Sequence, residues 1–416
     1  MAVEAAVAWY EELRAQEEMQ EKISNEITRL SLSTREKGFS KGLSKADLRK
    51  KRAEVDKERE ALCQRYWKVI FETGGSKPDF SGMTEAERAE AADKLRSNEL
   101  RYARRLTEEG DPRGRTTEAF ARILDFDPKQ GGRYYNRYTL VNLTRFDLDE
   151  ESPFGPMRFT DYPHKVIETE NYKLSGAVNF LSVKVASSDI GFPIHVYGTV
   201  IVRDSIDERC VYHFRRDPDH CQLINSEAES LILTGPKRGL ALCGYMYVEI
   251  DLKIKDHLGQ PREFSKGLLS ISDPTDCASM VSMVETKSLA TRLSTMDVTY
   301  AVVNRAIEGF IAVEVLQGGF HGKITAYTTS VQDILVLYDS KEADATTVDD
   351  CGDILQLMRP VVSVHVEDFL IIVFHTGDGK SESIQFIPMV NGRDEGQITV
   401  GATKMRVKLS WSIMDP

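Results

Sequence analysis

Hydrophobic spacing divides the chain into two stretches. In residues 3–32 apolar side chains recur every three or four positions, which is typical of an amphipathic helix. A second helix is predicted from Ser44. A third is predicted from Thr84, where Glu87 stands three residues further on and completes a capping box. Residues 1–125 are therefore predicted to form a charged helical hairpin or small bundle.

Beyond residue 125 the pattern changes to short runs rich in β-branched and aromatic residues, and many of these runs alternate between apolar and polar. Such runs predict strands, and Gly377-Asp-Gly379 has the composition of a hairpin turn between two of them. Evenly spaced short strands favour a sandwich or a barrel. The predicted fold class is α+β, with an N-terminal helical hairpin or bundle followed by a duplicated all-β domain over residues 134–416.

The duplication is predicted from an internal repeat. The segments Val196-Tyr-Gly-Thr-Val200 and Phe320-His-Gly-Lys-Ile324 share a pattern at an offset of 124 residues. The residues that share this offset and need special backbone geometry are Gly198, Gly322, Pro236 and Pro360. We predict two copies of one β unit, about 176–275 and 296–416, joined by a segment rich in Ser and Thr. The alternative is two unrelated runs of strands.

Charge is distributed unevenly between the two stretches. The whole chain has 54 basic and 65 acidic residues and a formal charge of −11, which argues against a surface that coats nucleic acid or anionic lipid. Residues 1–125 carry 25 basic and 25 acidic residues, so the excess of acid lies entirely in the β stretch.

The start of the chain is acidic, and no run approaches the roughly 18 apolar residues that a membrane-spanning helix needs. The six cysteines have no framework spacing, which suits reduced thiols. We therefore expect a cytoplasmic protein, with the nucleus as an alternative, and no membrane partner.

Two clusters of residues have metal-binding side chains. One offers two thiols and two imidazoles, from Cys210, His213, His220 and Cys221. The other offers four carboxylates, from Asp204, Asp207, Asp217 and Asp219. Residues three apart on a strand point to opposite faces, and acidic loop residues are more often solvated turn formers. No metal, cofactor or catalytic residue is therefore predicted.

One basic segment stands out against the acidic total, between residues 35 and 52. Its candidate contacts to an anion or to nucleic acid are Lys45, Arg49, Lys50, Lys51 and Arg52. A solvated helix face that pairs with acidic residues is the favoured interpretation. The loop Gly235-Pro-Lys-Arg-Gly239 also offers cations to an anion, but there too a connection between strands is favoured.

Several segments of the second stretch carry a family resemblance. They are Tyr134-Tyr135, residues 147–159, Tyr197-Gly-Thr-Val-Ile-Val-Arg-Asp204, Leu233-Thr-Gly-Pro-Lys237, Val248-Glu-Ile-Asp-Leu-Lys253 and Gly401-Ala-Thr-Lys-Met-Arg-Val-Lys408. Together they resemble an uncharacterised plant domain-of-unknown-function family that is expanded in cereals. In the barley jasmonate-induced protein a similar domain follows a ribosome-inactivating domain. The resemblance implies cereal origin, a β-rich fold and a stress or defence setting, and it supplies no catalytic residues.

These observations predict a non-enzymatic binding or scaffold protein that associates with itself or with a protein partner through its helices. The alternative is an enzyme, or the partner of an enzyme, that acts on ribosomes or RNA. The basic segment and the resemblance are the only features that suggest this alternative.

Overall fold

The computed structural model divides into a helical unit, Met1–Tyr134, and a β domain, Tyr135–Pro416. The residues that the structure describes are 1–33, 57, 61, 78–162, 174–256, 259–273, 282–342 and 354–415. The start of the second predicted helix, at Ser44, lies outside these residues.

The described part of the helical unit contains helices and one short hairpin. These elements are α1 (Ala2–Ser33), α2 (Glu85–Glu108), α3 (Arg113–Ala121), β1 (Leu124–Asp127) and β2 (Gly132–Tyr135). Apolar side chains of α1, α2 and β1 form a core that includes Val3, Leu95 and Phe126. The hydroxyl of Tyr10 in this core accepts a hydrogen bond of 2.7 Å from the backbone amide of Arg133.

Helix α2 begins where the sequence predicts. The hydroxyl of Thr84 accepts from the amide of Glu87 at 3.3 Å, and the Glu87 carboxylate accepts from the amide of Thr84 at 2.9 Å. The predicted capping box is thus confirmed. The apolar face of the helix is buried, because it packs in the unit's interior.

The β domain is built from antiparallel strands connected by turns and loops. They are β3 (Gly176–Ser188), β4 (Ile194–Arg203), β5 (Val211–Arg216), β6 (Gln222–Ile224), β7 (Ala241–Leu242), β8 (Tyr245–Lys255), β9 (Pro261–Ser272), β10 (Ser282–Thr291), β11 (Ser294–Val303), β12 (Ala306–Gln317), β13 (Gly322–Thr328), β14 (Leu335–Asp339), β15 (Ile354–Leu355), β16 (Val361–His365), β17 (Leu370–Thr376), β18 (Ser381–Phe386), β19 (Gly392–Val400) and β20 (Thr403–Ile413). The chain is therefore α+β, with a helical region followed by a β-rich domain.

These strands form four sheets. Strands β10-β11-β3-β7 form one sheet and β5-β4-β8-β9 the next, with β6 added beside β4. Strands β15-β12-β20-β19 and β14-β13-β17-β18 form the other two, with β16 added beside β12. One hydrophobic core lies between the first two sheets and another between the last two. Each pair of sheets is thus a sandwich with its own core.

The strand registers of the two sandwiches follow the sequence offset. Gly198 of β4 pairs with Leu252 of β8, and Gly322 of β13 pairs with Thr376 of β17, so both partners are shifted by 124 residues. The hairpin turn predicted at residues 377–379 is confirmed, since it joins β17 to β18. The shared offset therefore extends from the sequence pattern to the hydrogen-bonded pairs.

The boundary between the two copies differs from the expected one. The predicted start at residue 296 falls inside β11, which pairs with β3 of the first copy over its whole length. Strand β10 lies in the segment that was expected to be a linker, and it pairs with β11. The structure therefore places the first strand of the second copy at Ala306, because residues 282–303 complete the first copy's sheet.

Candidate functional site

The structure explains the two glycines of the repeat and leaves the basic segment undescribed. A Cβ atom on Gly198 would lie 2.2 Å from the carbonyl oxygen of Asp251, and one on Gly322 would lie 1.9 Å from that of His375. Both glycines therefore permit close approach of neighbouring strands. Lys45, Arg49, Lys50, Lys51 and Arg52 lie outside the described residues, so the candidate nucleic-acid contact stays a prediction.

Pro236 and Pro360, the other two repeat positions, adjoin a contact between the copies. Pro236 follows Gly235, and Pro360 follows Arg359, which is 124 residues further along the chain. The guanidinium of Arg359 donates from Nε to the carbonyl oxygen of Gly235 at 3.0 Å. Equivalent positions of the two copies are thus in direct contact.

The metal-binding residue types form separate contacts. Cys210 donates from Sγ to the carbonyl oxygen of Leu148, while His220 pairs with Asp217. His213 is fully buried. Its burial, and to a smaller extent the nearby charge of Arg359, lower its pKa to about 3. Within the described residues, no three His, Cys, Asp or Glu side chains come close enough to hold a metal ion.

Buried ion pairs fix one end of the first copy. The Glu249 carboxylate accepts two hydrogen bonds from Arg203, at 2.8 and 3.1 Å, and one from Arg137 at 3.2 Å. It also accepts from the backbone amide of Tyr138 at 2.9 Å. Arg203 and Glu249 are both almost inaccessible to solvent. Because both oxygens of Glu249 are used, the network holds Tyr138 in a defined position.

A second buried pair lies beside the first. Arg238, in the loop where the sequence offers cations to an anion, donates from Nη1 and Nη2 to Asp204 at 2.7 and 3.0 Å. Its Nη2 also donates to Asp207 at 3.2 Å. Two of the four aspartates of the predicted carboxylate cluster thus bind an arginine, while Asp217 accepts from the amide of Asp219 at another site.

A cavity of about 410 Å³ opens next to these pairs and is called the tyrosine pocket here. The side chains that define it are Tyr138, Tyr245, Tyr247, Arg203, Asp204 and Glu208. The rings of Tyr138 and Tyr247 have centroids 4.7 Å apart. Tyr245 and Tyr247 are nearly parallel, with centroids 6.5 Å apart. Tyr245 is 60% exposed, so the pocket is open to ligands.

The carboxylate of the tyrosine pocket that has no ion pair within the described residues belongs to Glu208. The hydroxyl of Tyr138 donates to its Oε1 at 2.9 Å. Burial, and then this hydrogen bond, raise the pKa of Tyr138, so its hydroxyl stays protonated and donates. The backbone of Glu208 has φ of 59°, a left-handed conformation that non-glycine residues rarely adopt. Its carbonyl oxygen is held by Nη1 of Arg203 at 3.0 Å.

A second cavity, of about 420 Å³, lies between the two copies and is called the inter-copy cleft here. The side chains that define it are Leu181, Lys184, Leu233, Lys323, Ile334 and Arg359. The first three come from the first copy and the others from the second. The cleft therefore exists only because the two copies pack against each other.

Sequence reasoning missed the residues of both cavities except Asp204, which it considered only as a metal-binding carboxylate. The tyrosines alternate on β8 at positions 245 and 247, where an outward-facing pair of aromatic side chains was a usable signal. Arg359 gave a weaker signal, because it replaces the glycine found at the equivalent position of the first copy. The pairing of residues such as Arg203 and Glu249, 46 positions apart, had no signal in the sequence.

Solved structures of known proteins match this chain only weakly. Human GIVD cytosolic phospholipase A2 matches with 8% identity over 58% of this chain, at a TM-score of 0.20. The chain spans only 30% of the length of that structure. The C2A and C2B domains of Extended-Synaptotagmin 2 match with 8% identity over 67% of this chain and all of theirs, also at a TM-score of 0.20.

The search of curated proteins gives no match. In the parts of the chain that the structure describes, no helix combines the length and apolar character needed to cross a membrane. A family model matches residues 177–409, which is more than half of the chain and spans both copies of the β unit. The chain belongs to the family described as Domain of unknown function (DUF6598).

Proposed function

We propose that this is a non-enzymatic binding protein whose tyrosine pocket receives the cationic side chain of a protein partner. The observation that carries the proposal is the combination of three tyrosine rings with the Glu208 carboxylate in one open cavity. The stress or defence setting in a cereal, and a cytoplasmic or nuclear location, are part of the proposal and rest on the resemblance and the cysteine pattern.

The charges around the pocket favour a cation. The Arg203 guanidinium is neutralised by Glu249, and Asp204 is neutralised by Arg238. Glu208 has no ion pair within the described residues, so it remains the uncompensated charge of the pocket. Aromatic faces attract cations, and a nearby carboxylate adds to this attraction.

Rigidity also supports the proposal. The left-handed backbone of Glu208 is strained, and such strain persists where the surrounding structure imposes it and is frequent at binding sites. Tyr138 is held by Glu249 through its amide and by Glu208 through its hydroxyl. A site held in this way loses little conformational entropy when a ligand binds.

Calorimetric titration of the full chain with tetramethylammonium tests the proposal, with the neutral tert-butyl alcohol as the comparison ligand. We expect the cation to bind and the alcohol to bind at least about 5-fold more weakly, since cation–π attraction is lost. Tyr245→Ala and Glu208→Gln should each weaken the cation by about 5-fold. Tyr162→Ala, at an exposed tyrosine outside the pocket, is the matched control. Equal binding of the two probes contradicts the proposal.

The helical unit supplies the association part of the proposal. Met19 of α1 is 43% exposed although it belongs to the apolar stripe of that helix. We expect the full chain to self-associate in light scattering and Met19→Glu to shift it towards the monomer. A wild-type chain that is monomeric at all concentrations removes self-association from the proposal and leaves the pocket unaffected.

A further inference from the structure

The floor of the inter-copy cleft holds a buried cation. Arg359 is 5% exposed, and its guanidinium donates to the carbonyl oxygens of Gly235 and Phe180. Within the described residues it has no carboxylate partner, whereas Arg203 binds Glu249 and Arg238 binds two aspartates. Burying a charge without a counterion is costly, so a position of this kind favours an anionic ligand.

The cation persists at neutral pH. Burial lowers the pKa of Arg359 only to about 10, so the guanidinium remains protonated. His213 is close enough for the charge of Arg359 to lower its pKa, and it is neutral at pH 7. The imidazole therefore adds no positive charge to the site.

Two further cations line the cleft. Lys184 has no ion pair within the described residues, and Lys323 lies 3.5 Å from the carboxylate of Asp339. Glu342 is exposed at the edge. The cleft is therefore lined by three basic and two acidic residues, and one of the acids, Asp339, pairs with Lys323.

Apart from Ser182 and Ser230, the rest of the lining is apolar. Its seven residues with hydrocarbon or thioether side chains are Leu181, Leu231, Ile232, Leu233, Ile334, Val336 and Met358, of which Leu231 and Leu233 are buried in the core of the first copy. The volume of about 420 Å³ lies within the range of about 300–1,000 Å³ that is usual for small-molecule sites. An inorganic anion uses the cations and leaves this apolar surface unfilled, whereas an amphipathic acid uses both.

We propose that the inter-copy cleft binds an aliphatic carboxylic acid, with the carboxylate against Arg359 and Lys184 and the hydrocarbon chain along the aliphatic lining. A carboxylate accepts two hydrogen bonds from a guanidinium, which suits the planar donor at the floor of the cleft. The site and ligand are separate from the tyrosine pocket, so the inference goes beyond the proposed function. Because both copies line the cleft, its ligand bridges them.

Calorimetric titration of the full chain with octanoate tests the inference, with octylamine, octanol and inorganic phosphate as comparison probes. We expect octanoate to bind, octanol and octylamine to bind at least about 10-fold more weakly, and phosphate to leave octanoate binding unchanged. Octanol binding as tightly as octanoate overturns the role of Arg359. Phosphate that displaces octanoate overturns the role of the aliphatic lining.

Variants locate the ligand. Ile334→Trp fills the cleft from an isoleucine that is 59% exposed, and Ile387→Trp makes the same change at a 63% exposed isoleucine elsewhere. Only the first should abolish octanoate binding. Lys184→Glu should weaken octanoate by about 10-fold, whereas Lys253→Glu on β8 should not. Tyr245→Ala should bind octanoate normally, which separates this site from the tyrosine pocket. Wild-type affinity in Ile334→Trp excludes the cleft as the site.

Arg359→Met supplies the direct test of the guanidinium. We expect it to lose octanoate binding by at least about 10-fold, with Arg359→Lys in between, since a lysine keeps the charge and loses the planar donor. A folded Arg359→Met chain that binds octanoate as tightly as the wild type overturns the inference. If this variant does not fold, Ile334→Trp and Lys184→Glu decide the matter alone.

Discussion

Arg203 of the first copy and Arg359 of the second are both buried, but their partners differ. Arg203 makes a two-pronged pair with Glu249, in which every bond has a defined oxygen. Arg359 is bonded to the carbonyl oxygens of Gly235 and Phe180, which are dipoles and carry no net charge. Within the described chain, the charge of Arg203 is neutralised by a carboxylate and the charge of Arg359 is not.

This difference separates a structural charge from a ligand-binding one. In a buried ion pair the attraction between the two charges offsets part of their desolvation cost. The Arg203–Glu249 pair holds the segments that carry Tyr138 and Glu208. A buried cation without a counterion at the floor of a cavity is stabilised by an anionic ligand that enters the cavity. The two cavities therefore have opposite expected ligands, a cation in the tyrosine pocket and an anion in the inter-copy cleft.

Removing the counterion of Arg203 should have the largest effect. Glu249→Gln leaves Arg203 buried without a negative partner, and we expect a loss of about 3–5 kcal/mol in the free energy of unfolding. Urea unfolding of the full chain measures it. Glu314→Gln, which removes a surface partner of Lys408, is the control and should change stability little. Equal effects of the two substitutions contradict the comparison.

Replacing the two arginines by methionine should have unequal effects. Arg203→Met leaves the Glu249 carboxylate buried, so we again expect a loss of about 3–5 kcal/mol. Arg359→Met removes the side-chain donor from two carbonyl oxygens but also removes an unbalanced charge, so a loss of about 1–3 kcal/mol is expected. The same unfolding measurement compares them. If Arg359→Met lowers the free energy of unfolding as much as Arg203→Met does, the two arginines do not differ in the way that their partners predict.

The smallest expected effect concerns His213, which lies near Arg359. Its folded-state pKa of about 3 is below its unfolded value of 6.5, so the unfolded chain binds the proton first as the pH falls. Stability from this group is full above pH 6.5 and is lost progressively towards pH 3. When the pH falls from 7.5 to 5.5, we expect the free energy of unfolding of the wild type to fall by about 1.4 kcal/mol through this group. The His213→Phe variant should not show this loss.

Unfolding curves at the two pH values measure this loss. Phenylalanine keeps the aromatic contact with Phe180, whose ring centroid lies 4.7 Å from that of His213. The substitution therefore removes the titration and retains most of the packing. Wild type and variant that lose the same stability over this pH range show that His213 does not titrate as described.

Local signals in the sequence were enough for parts of the fold. The capping box at Thr84 depends on residues three apart, and the hairpin at residues 377–379 depends on a turn composition. Strand β10 was missed because most of its side chains are exposed or half-buried, so its alternation between apolar and polar residues is weak. Its place in the sheet is decided by pairing with β11.

The sequence by itself determined the α+β class, the beginning of helix α2 and the offset of 124 that reappears in the strand registers, because these depend on neighbouring residues or on repeated patterns. Only the tertiary structure decided which charges are neutralised. The partners of Arg203 and Arg359 are distant in sequence, and burial, which makes an unpaired charge costly, exists only after the chain has folded.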